Sequence, residues 1–320
     1  MTKPKVFVTR LIPEKGLTLV REFCDADIWP GDMPPSREEL LSRIHDVGGV
    51  LTLLTEKVDA EFMDAALHLK VISNMAVGFD NVDVAEATRR KISVGNTPGV
   101  LTDATADMAF ALMLSAARRL PEGEKYVRDG LWKTWYPQLF LGADFVGATL
   151  GIIGFGRIGQ AVAKRAQGFG LRVIFCDPTA QLAFGATSVD MDTLLREADF
   201  ISLHVPLNLE TRHLVNVDFL AKMKPDAILV NTSRGGVVDQ SALFDALKLK
   251  KIFAAALDVT DPEPLPANDP LLELENCLIV PHLGSASKHT RDMMAFLAAK
   301  NLIAGLKGER LPNCVNKEVY

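Results

Sequence analysis

Arg234, Glu263 and His282 have side chains whose chemistries fit together. Each comes after an apolar, β-rich run: Arg234 after AILVNTS, Glu263 after the run ending at Val259, His282 after CLIVP. An arginine can hold a carboxylate through two parallel hydrogen bonds and place positive charge near a carbonyl oxygen. A histidine can give a proton to a developing alkoxide or take one from an alcohol. A glutamate beside that histidine would favour the imidazolium and fix the ring's orientation. Taken singly, each has a plainer explanation. A glutamate in a Pro-rich loop is usually solvated, a histidine after a strand is usually structural, and an arginine in SRGG can be a surface turn. A second motif raises all three. The segment TLGIIGFGRIGQAVAKRAQGFG carries G-x-G-x-x-G at Gly154, Gly156 and Gly159. It follows a strand pattern, opens a helix pattern, and Asp177 ends the next strand pattern. In that context the motif binds a dinucleotide. Gly154 makes the tight turn, Gly156 admits a pyrophosphate, Gly159 lets helix and strand approach, and the helix N-terminus faces the phosphates. Asp177 can accept hydrogen bonds from a ribose diol. Together the groups suit hydride transfer between a nicotinamide and a 2-oxo or 2-hydroxy acid. His45, His68, His204, His213 and His289 read as structural, with His204 at a strand end where it could line the cleft.

These side chains need a scaffold, and the pattern supplies one. Strand-like runs occur at residues 5–9, 49–54, 69–74 and 92–96, and again at 149–154, 171–177, 200–205, 227–233, 252–259 and 277–282. Helical patterns lie between them, which implies βαβ units and mostly parallel sheets. Parallel strands would put Arg234, Glu263 and His282 at the carboxyl edge of one sheet, beside the glycine loop. Residues 102–120, TDATADMAFALMLSAARRL, predict one long helix that is apolar round most of its circumference and therefore buried between domains or subunits. Residues 130–142 hold Trp132, Trp135 and Tyr136 and read as an irregular aromatic connector. Residues 290–306 predict a terminal helix that could return to either of two α/β blocks, which meet near residue 100.

Composition sets the outer limits. The chain has 320 residues, 48% hydrophobic and 23% charged, with formal net charge −5, so a folded α/β protein of about two domains is expected. A weakly acidic chain is a poor polyanion ligand, so neither nucleic acid nor an anionic membrane is the expected partner. Cys24, Cys176, Cys277 and Cys314 are far apart, which predicts neither a disulfide framework nor a metal site. MTKPKVFVTR lacks the apolar stretch of a signal peptide, and no membrane-spanning run occurs, so a cytoplasmic setting is expected.

Four blocks of the chain resemble the D-isomer-specific 2-hydroxyacid dehydrogenases: VGFDNVDV (77–84), TLGIIGFGRIGQAVAKR (149–165), ILVNTSRGGVVDQSAL (228–243) and ALDVTDPEPLPANDPLLELENCLIVPHLGSAS (256–287). The tail at 290–316 is most similar to the glyoxylate/hydroxypyruvate reductase group. The resemblance implies two Rossmann-like or flavodoxin-like doubly wound α/β domains. The cofactor domain, residues 101–287, would be inserted into a discontinuous substrate domain, residues 1–100 and 288–320. It also implies a homodimer joined largely through the cofactor domain. In family terms Arg234, Glu263 and His282 match the catalytic residues. Val77 and Gly78 match backbone positions that bind the substrate carboxylate, and Leu53 a pocket wall. Phe155, Arg157 and Ile158 join the glycines in the pyrophosphate loop, and Asp177 is the ribose acid. Val205, Pro206 and Thr211 match the adenosine side, and Thr232, Ser233, Arg234, Asp258 and Gly284 surround the nicotinamide. Trp135 and Leu139 match a connector that can reach a partner's pocket.

Some relatives fit less well. Formate dehydrogenases pair their histidine with glutamine, where this chain has Glu263. Phosphite dehydrogenases carry lysine at the position of Val77. Phosphoglycerate dehydrogenases often add a regulatory domain for which this length leaves no room. Nucleotide-sensing corepressors can keep the catalytic residues, but no partner-binding extension is visible. The expected activity is therefore reduction of glyoxylate and hydroxypyruvate. The alternatives are phosphite dehydrogenase, another D-2-hydroxyacid dehydrogenase, or a corepressor. NAD(H) is the expected cofactor because Asp177 would repel a 2′-phosphate and Arg196 is the only basic residue between Val173 and Asp199; NADP(H) is the second choice.

Overall fold

A computed structural model describes residues 3–180 and 185–320. The start of the N-terminal segment read above, Met1 and Thr2, lies outside the described residues. In chain order the strands are β1 (Lys5–Val8), β2 (Asp25–Ile28), β3 (Gly49–Thr52), β4 (Val71–Asn74), β5 (Ser93–Gly95), β6 (Thr149–Ile153), β7 (Arg172–Cys176), β8 (Thr187–Ser188), β9 (Phe200–Leu203), β10 (Ile228–Asn231), β11 (Ala254–Leu257) and β12 (Cys277–Ile279). The helices are α1 (Glu14–Phe23), α2 (Arg37–Arg43), α3 (Ala60–Ala65), α4 (Val84–Arg89), α5 (Thr102–Ala117), α6 (Leu120–Arg128), α7 (Arg157–Gly168), α8 (Met191–Glu197), α9 (Val217–Lys222), α10 (Gln240–Lys248) and α11 (Lys288–Lys307). They divide into two compact units, Met1–Leu101 with Ser287–Tyr320, and Thr102–Ala286.

The first unit is a five-stranded parallel sheet in the order β2-β1-β3-β4-β5. That is the flavodoxin-like arrangement. β3 and β4 are buried at every position, as expected of strands covered on both faces. β2, with the sequence DADI, has no apolar run for a pattern to find. It is an edge strand, and its exposed Asp25 and Asp27 protect that edge from unwanted pairing. Helices start where short polar side chains cap them: Ser36 forms a reciprocal capping box with Glu39, and Asp59 and Asp83 cap α3 and α4. The terminal helix α11 packs on this sheet and on α1. Gly16 makes the α1 contact possible, since a Cβ there would lie 2.6 Å from the Ala295 carbonyl oxygen.

The second unit is a seven-stranded parallel sheet, β12-β11-β10-β9-β6-β7-β8. From β6 the chain steps outward through β7 and β8, then returns to β9 on the other side and continues outward. The switch point lies between β6 and β9. One face of the sheet carries α5 and α7 over Ile152, Val230 and Ala256. The opposite face buries Ile201, Leu229 and Leu257 against Leu194, Leu220 and Leu243 of α8, α9 and α10.

One expectation for α5 needs correction. The helix stops at Ala117 rather than running to residue 120. Arg119 takes left-handed backbone angles (φ 49°), and a new helix, α6, starts beside Pro121, which has no N–H to continue the earlier ladder. Part of the apolar circumference of α5 is covered within the second unit itself. Ala106, Phe110, Met113 and Ala117 are buried in the core of the second unit, against α7, β10 and β11. The connector at 130–142 is irregular, and Trp132, Trp135, Tyr136 and Leu141 are exposed in it.

Candidate active site

The parallel register builds the site. Cys176, Ile153, Leu203, Asn231, Leu257 and Ile279 are cross-strand partners in adjacent strands. The residues that follow them, Asp177, Gly154, His204, Thr232, Asp258 and Val280, therefore form one row at the carboxyl edge of the sheet.

At the switch point the chain turns from β6 into α7 through the glycine loop. Gly154 has φ 88°, and a Cβ on it would lie 2.6 Å from the His204 carbonyl oxygen. A Cβ on Gly159 would lie 2.2 Å from the Gly154 oxygen, so helix and strand could not close as they do. Gly156 faces open space, with no heavy atom within 4 Å of a built Cβ. No side chain caps the start of α7, so its first N–H groups remain for an anion. Phe155 turns its ring inward, stacked on Phe175 at 4.0 Å, and only its backbone belongs to the loop. Ile158 is partly buried in the same core, and Arg157 is exposed.

Asp177 locks the loop. Its Oδ2 accepts from the Phe155 N–H at 2.7 Å. Its Oδ1 accepts from the Thr179 N–H (2.8 Å), the Thr179 hydroxyl (2.9 Å) and the Ala180 N–H (3.0 Å). Burial pushes the carboxyl pKa up, but these donors more than offset it and hold the group below the usual carboxylate range. Oδ1 is fully engaged by the protein, so Oδ2 is the oxygen with room for a ribose hydroxyl. On the adenosine side Val205 is half-buried and Pro206 exposed, and the Thr211 hydroxyl donates to the Pro206 carbonyl at 2.6 Å.

Next along the row, Asn231 folds the turn that carries Arg234. Its Oδ1 accepts from the Ser233 N–H (3.0 Å) and hydroxyl (2.8 Å), and its Nδ2 donates to the Arg234 carbonyl (2.8 Å). The half-buried Arg234 donates Nη1–H to the Ser233 carbonyl at 2.9 Å. Asp258 does the same work for His282. Its carbonyl accepts from the His282 N–H at 2.9 Å, and its carboxylate accepts from the N–H groups of Leu283 (2.5 Å) and Gly284 (2.8 Å). Burial raises the Asp258 pKa, and those two N–H groups and nearby His282 offset part of the rise. His282 itself holds a left-handed backbone (φ 53°).

The central contact is 2.6 Å long, between His282 Nδ1 and Glu263 Oε1. An ionised carboxylate only accepts, so Nδ1 carries the hydrogen and Nε2 is the nitrogen left for a ligand.

In the first unit, Leu53, Val77 and Gly78 lie beyond the carboxyl ends of β3 and β4, all half-buried. Asn81 Nδ2 donates to the Leu53 carbonyl at 2.9 Å and Asn74 Nδ2 to the Gly78 carbonyl at 3.1 Å. Trp135 is 79% exposed and Leu139 half-buried. A cavity of about 450 Å³ lies elsewhere, at the amino ends of β11 and β12, lined by Arg119, Lys248, Lys250 and Glu275 among others. It holds none of the reacting groups.

Sequence reasoning undervalued His204. Its Nε2 lies 2.8 Å from the Ser202 hydroxyl, and its enclosed Nδ1 has no partner among the described residues. The buried hydroxyl of Thr232, on the adjacent strand, is likewise unpartnered. Two enclosed polar atoms beside an open glycine loop fit a polar ligand, and the residues present fit a dinucleotide.

A parallel sheet with this loop at its switch point and a His–Glu pair beyond its outer strands defines a nucleotide-dependent oxidoreductase. Residues 110–284 match the D-isomer specific 2-hydroxyacid dehydrogenase, NAD binding domain. A glyoxylate reductase of Korarchaeum cryptofilum is 52% identical over 99% of this chain and 97% of its own length. A crystal structure from Thermus thermophilus superposes with a TM-score of 0.93 at 49% identity, covering 97% of this chain and 99% of that one. The NADPH-dependent glyoxylate/hydroxypyruvate reductase of Sinorhizobium meliloti, solved with NADP and malonate, gives 0.88 at 32% identity, covering 99% and 98%. The chain belongs to the D-isomer specific 2-hydroxyacid dehydrogenase family and is an oxidoreductase with an NAD-binding domain.

The enclosure of His204 has a consequence for stability. Burial pushes its pKa down from 6.5 to about 4, so the folded protein holds it neutral where an unfolded chain would protonate it. Stability is whole above pH 6.5 and is lost as the pH falls towards 4. Across that window the parent should lose roughly 3 kcal/mol more than His204→Gln in urea unfolding. Parallel pH curves for the two proteins would show that His204 is not the group responsible.

Proposed function

We propose that the protein reduces small 2-oxo acids, glyoxylate to glycolate and hydroxypyruvate to D-glycerate. The observation that carries this reading is the His282–Glu263 contact at the sheet edge that bears the glycine loop. The relatives called glyoxylate reductase supply the substrate class, and the D configuration of the three-carbon product comes from the family resemblance. A reduced nicotinamide, when bound, supplies the hydride. The rest falls to this chain's residues. Arg234 and the N–H groups of Val77 and Gly78 hold the substrate carboxylate, and Leu53 walls the pocket. His282 gives the Nε2 proton to the carbonyl oxygen as negative charge develops there. Glu263 keeps the Nδ1 hydrogen in place and stabilises the imidazolium that makes this donation possible. Neither Leu53 nor Val77 offers a second positive charge, so a substrate with two carboxylates or a phosphate would bury an unpaired charge.

The same reading assigns NAD(H) as the preferred cofactor. Asp177 is held ionised where a 2′-phosphate would lie, and Arg196 donates to Thr193 within its own helix. The S. meliloti neighbour is NADPH-dependent, so NADP(H) is the alternative. Residues 181–184, which follow Asp177 in the sequence, lie outside the described residues.

We also propose a homodimer formed through the second unit, and here the support is the connector alone. Trp132 is 61% exposed, Trp135 79% and Leu141 63%, large apolar side chains that a partner subunit would take out of water. Trp135 and Leu139 would then serve the partner's pocket. Four unpaired thiols support a cytoplasmic setting.

A panel of 2-oxo acids with NADH and NADPH tests the assignment. Glyoxylate and hydroxypyruvate should outrank pyruvate, and kcat/KM should be higher with NADH. A much higher kcat/KM for phenylpyruvate or oxaloacetate would overturn the substrate, and a preference for NADPH would overturn the cofactor. His282→Asn should lower kcat by roughly 10²–10⁴, and Glu263→Gln should lower it too, with KM changed less. Full turnover in either variant would remove that residue from the mechanism. Light scattering at micromolar concentration should give twice the chain mass; a monomer would count against the dimer.

A further inference from the structure

The substrate side of the first unit is organised by amide side chains that the sequence reading left unused. Asn96 follows β5 and donates Nδ2–H to the Val77 carbonyl at 2.9 Å. Its neighbour Thr97 donates its backbone N–H to the Ala76 carbonyl at 2.8 Å. Two successive carbonyls, of Ala76 and Val77, are thus drawn onto one short segment. In a trans peptide the N–H points opposite to the C=O of the same unit. The N–H groups of Val77 and Gly78 belong to these two units, so both are turned away from Asn96 and Thr97. Among the described residues neither N–H has an acceptor. Asn74, wholly buried, fixes the following unit through the Gly78 carbonyl at 3.1 Å and is itself held by the Thr52 hydroxyl at 3.1 Å.

Asn96 is anchored in turn by the C-terminal part of the chain. Asn301 of α11, also wholly buried, donates to the Asn96 carbonyl at 2.8 Å and accepts from the Asn313 N–H at 3.0 Å. The Asn96 N–H donates to the Asn313 carbonyl at 3.2 Å.

We infer that Asn96 is a positioning residue for substrate binding: by holding the Val77 carbonyl its side chain aims the Gly78 N–H at the substrate carboxylate, while the adjoining Thr97 N–H, on the Ala76 carbonyl, does the same for the Val77 N–H. The inference deepens the function proposed above and rests on it. Asn96 touches no substrate. It acts through the peptide plane, and the buried Asn301 transmits the rigidity of α11 to that plane.

The test compares the parent with Asn96→Ser and Asn96→Ala, both of which release the Val77 carbonyl. Oxamate, a carboxylate with no reducible ketone, is the probe for binding in the presence of NADH. In Asn96→Ser the oxamate Kd and the glyoxylate KM should rise roughly 10- to 100-fold, while kcat changes by less than about threefold. NADH affinity should be unchanged. Should Asn96→Ser fail to fold, Asn96→Ala, which removes the same Nδ2–H from the Val77 carbonyl, carries the same expectation. If the parent turns over glyoxylate and the folded variants bind oxamate as tightly as it does, the inference is wrong and the function stands. Equal losses in oxamate and NADH affinity would mean general damage, and would also overturn it. A parent that reduces no 2-oxo acid would remove the functional reading and this inference with it.

Discussion

Everything at the chemical edge of the second unit depends on the in-register ending of its parallel strands. Ile153, Leu203, Asn231 and Leu257 are direct cross-strand partners, so the chain leaves four neighbouring strands at the same level. A shift of one residue in any strand would turn its side chains to the opposite face, so that Leu229 and Val230, fully buried against different helices, would exchange surroundings and lose their packing. The packing cost of such a slip is what keeps the register. A glycine turn, a guanidinium and an imidazole encoded far apart in the chain thereby meet along one sheet edge.

Register alone would deliver loops of arbitrary shape. Polar side chains at the strand ends give them one shape each. Asp177 accepts four hydrogen bonds, Asn231 makes three, and Asp258 gathers three consecutive N–H groups, two on its carboxylate and one on its carbonyl. These groups carry a desolvation cost, visible in the raised pKa of Asp258, and that cost is offset only while every partner stays in place. The left-handed backbone of His282 belongs to the same arrangement, because a non-glycine residue keeps φ 53° only when its surroundings hold it.

Much of this was readable in the residues, for identifiable reasons. A strand–glycine-loop–helix pattern followed by an acid has few other uses, so Gly154, Gly159 and Asp177 stand where the motif predicts. Glu263 and His282 were legible as chemistry, and their 2.6 Å contact needed the fold to bring together two loops of different strands. β2 was not legible because an edge strand of Asp and Ala carries no apolar period. Pattern alone leaves the return of α11 open because its composition would suit either sheet, and only the family resemblance puts residues 288–320 with the first. The close approach at Gly16 and Ala295 decides it, and that is a pairwise fit across nearly the whole chain.

The asparagines were missed because Asn at a strand end is commonly read as turn composition alone. In this protein it has a further property, the possession of both a donor and an acceptor on one short arm. Where a buried strand gives way to a loop, the last backbone groups lose their ladder partners and cannot be left bare. A hydroxyl reaches few of them, and a carboxylate can satisfy only N–H groups. An amide can take an N–H with its oxygen and a carbonyl with its nitrogen at once. Asn231 does so across Ser233 and Arg234, and Asn301 does so across Asn96 and Asn313. An amide at the end of an apolar strand, or one residue past it, thus sets the direction of the peptide planes that follow. Both sheets use that device beneath the loops that carry the proposed substrate contacts: Asn231 under Arg234, and Asn74 and Asn96 around Val77 and Gly78.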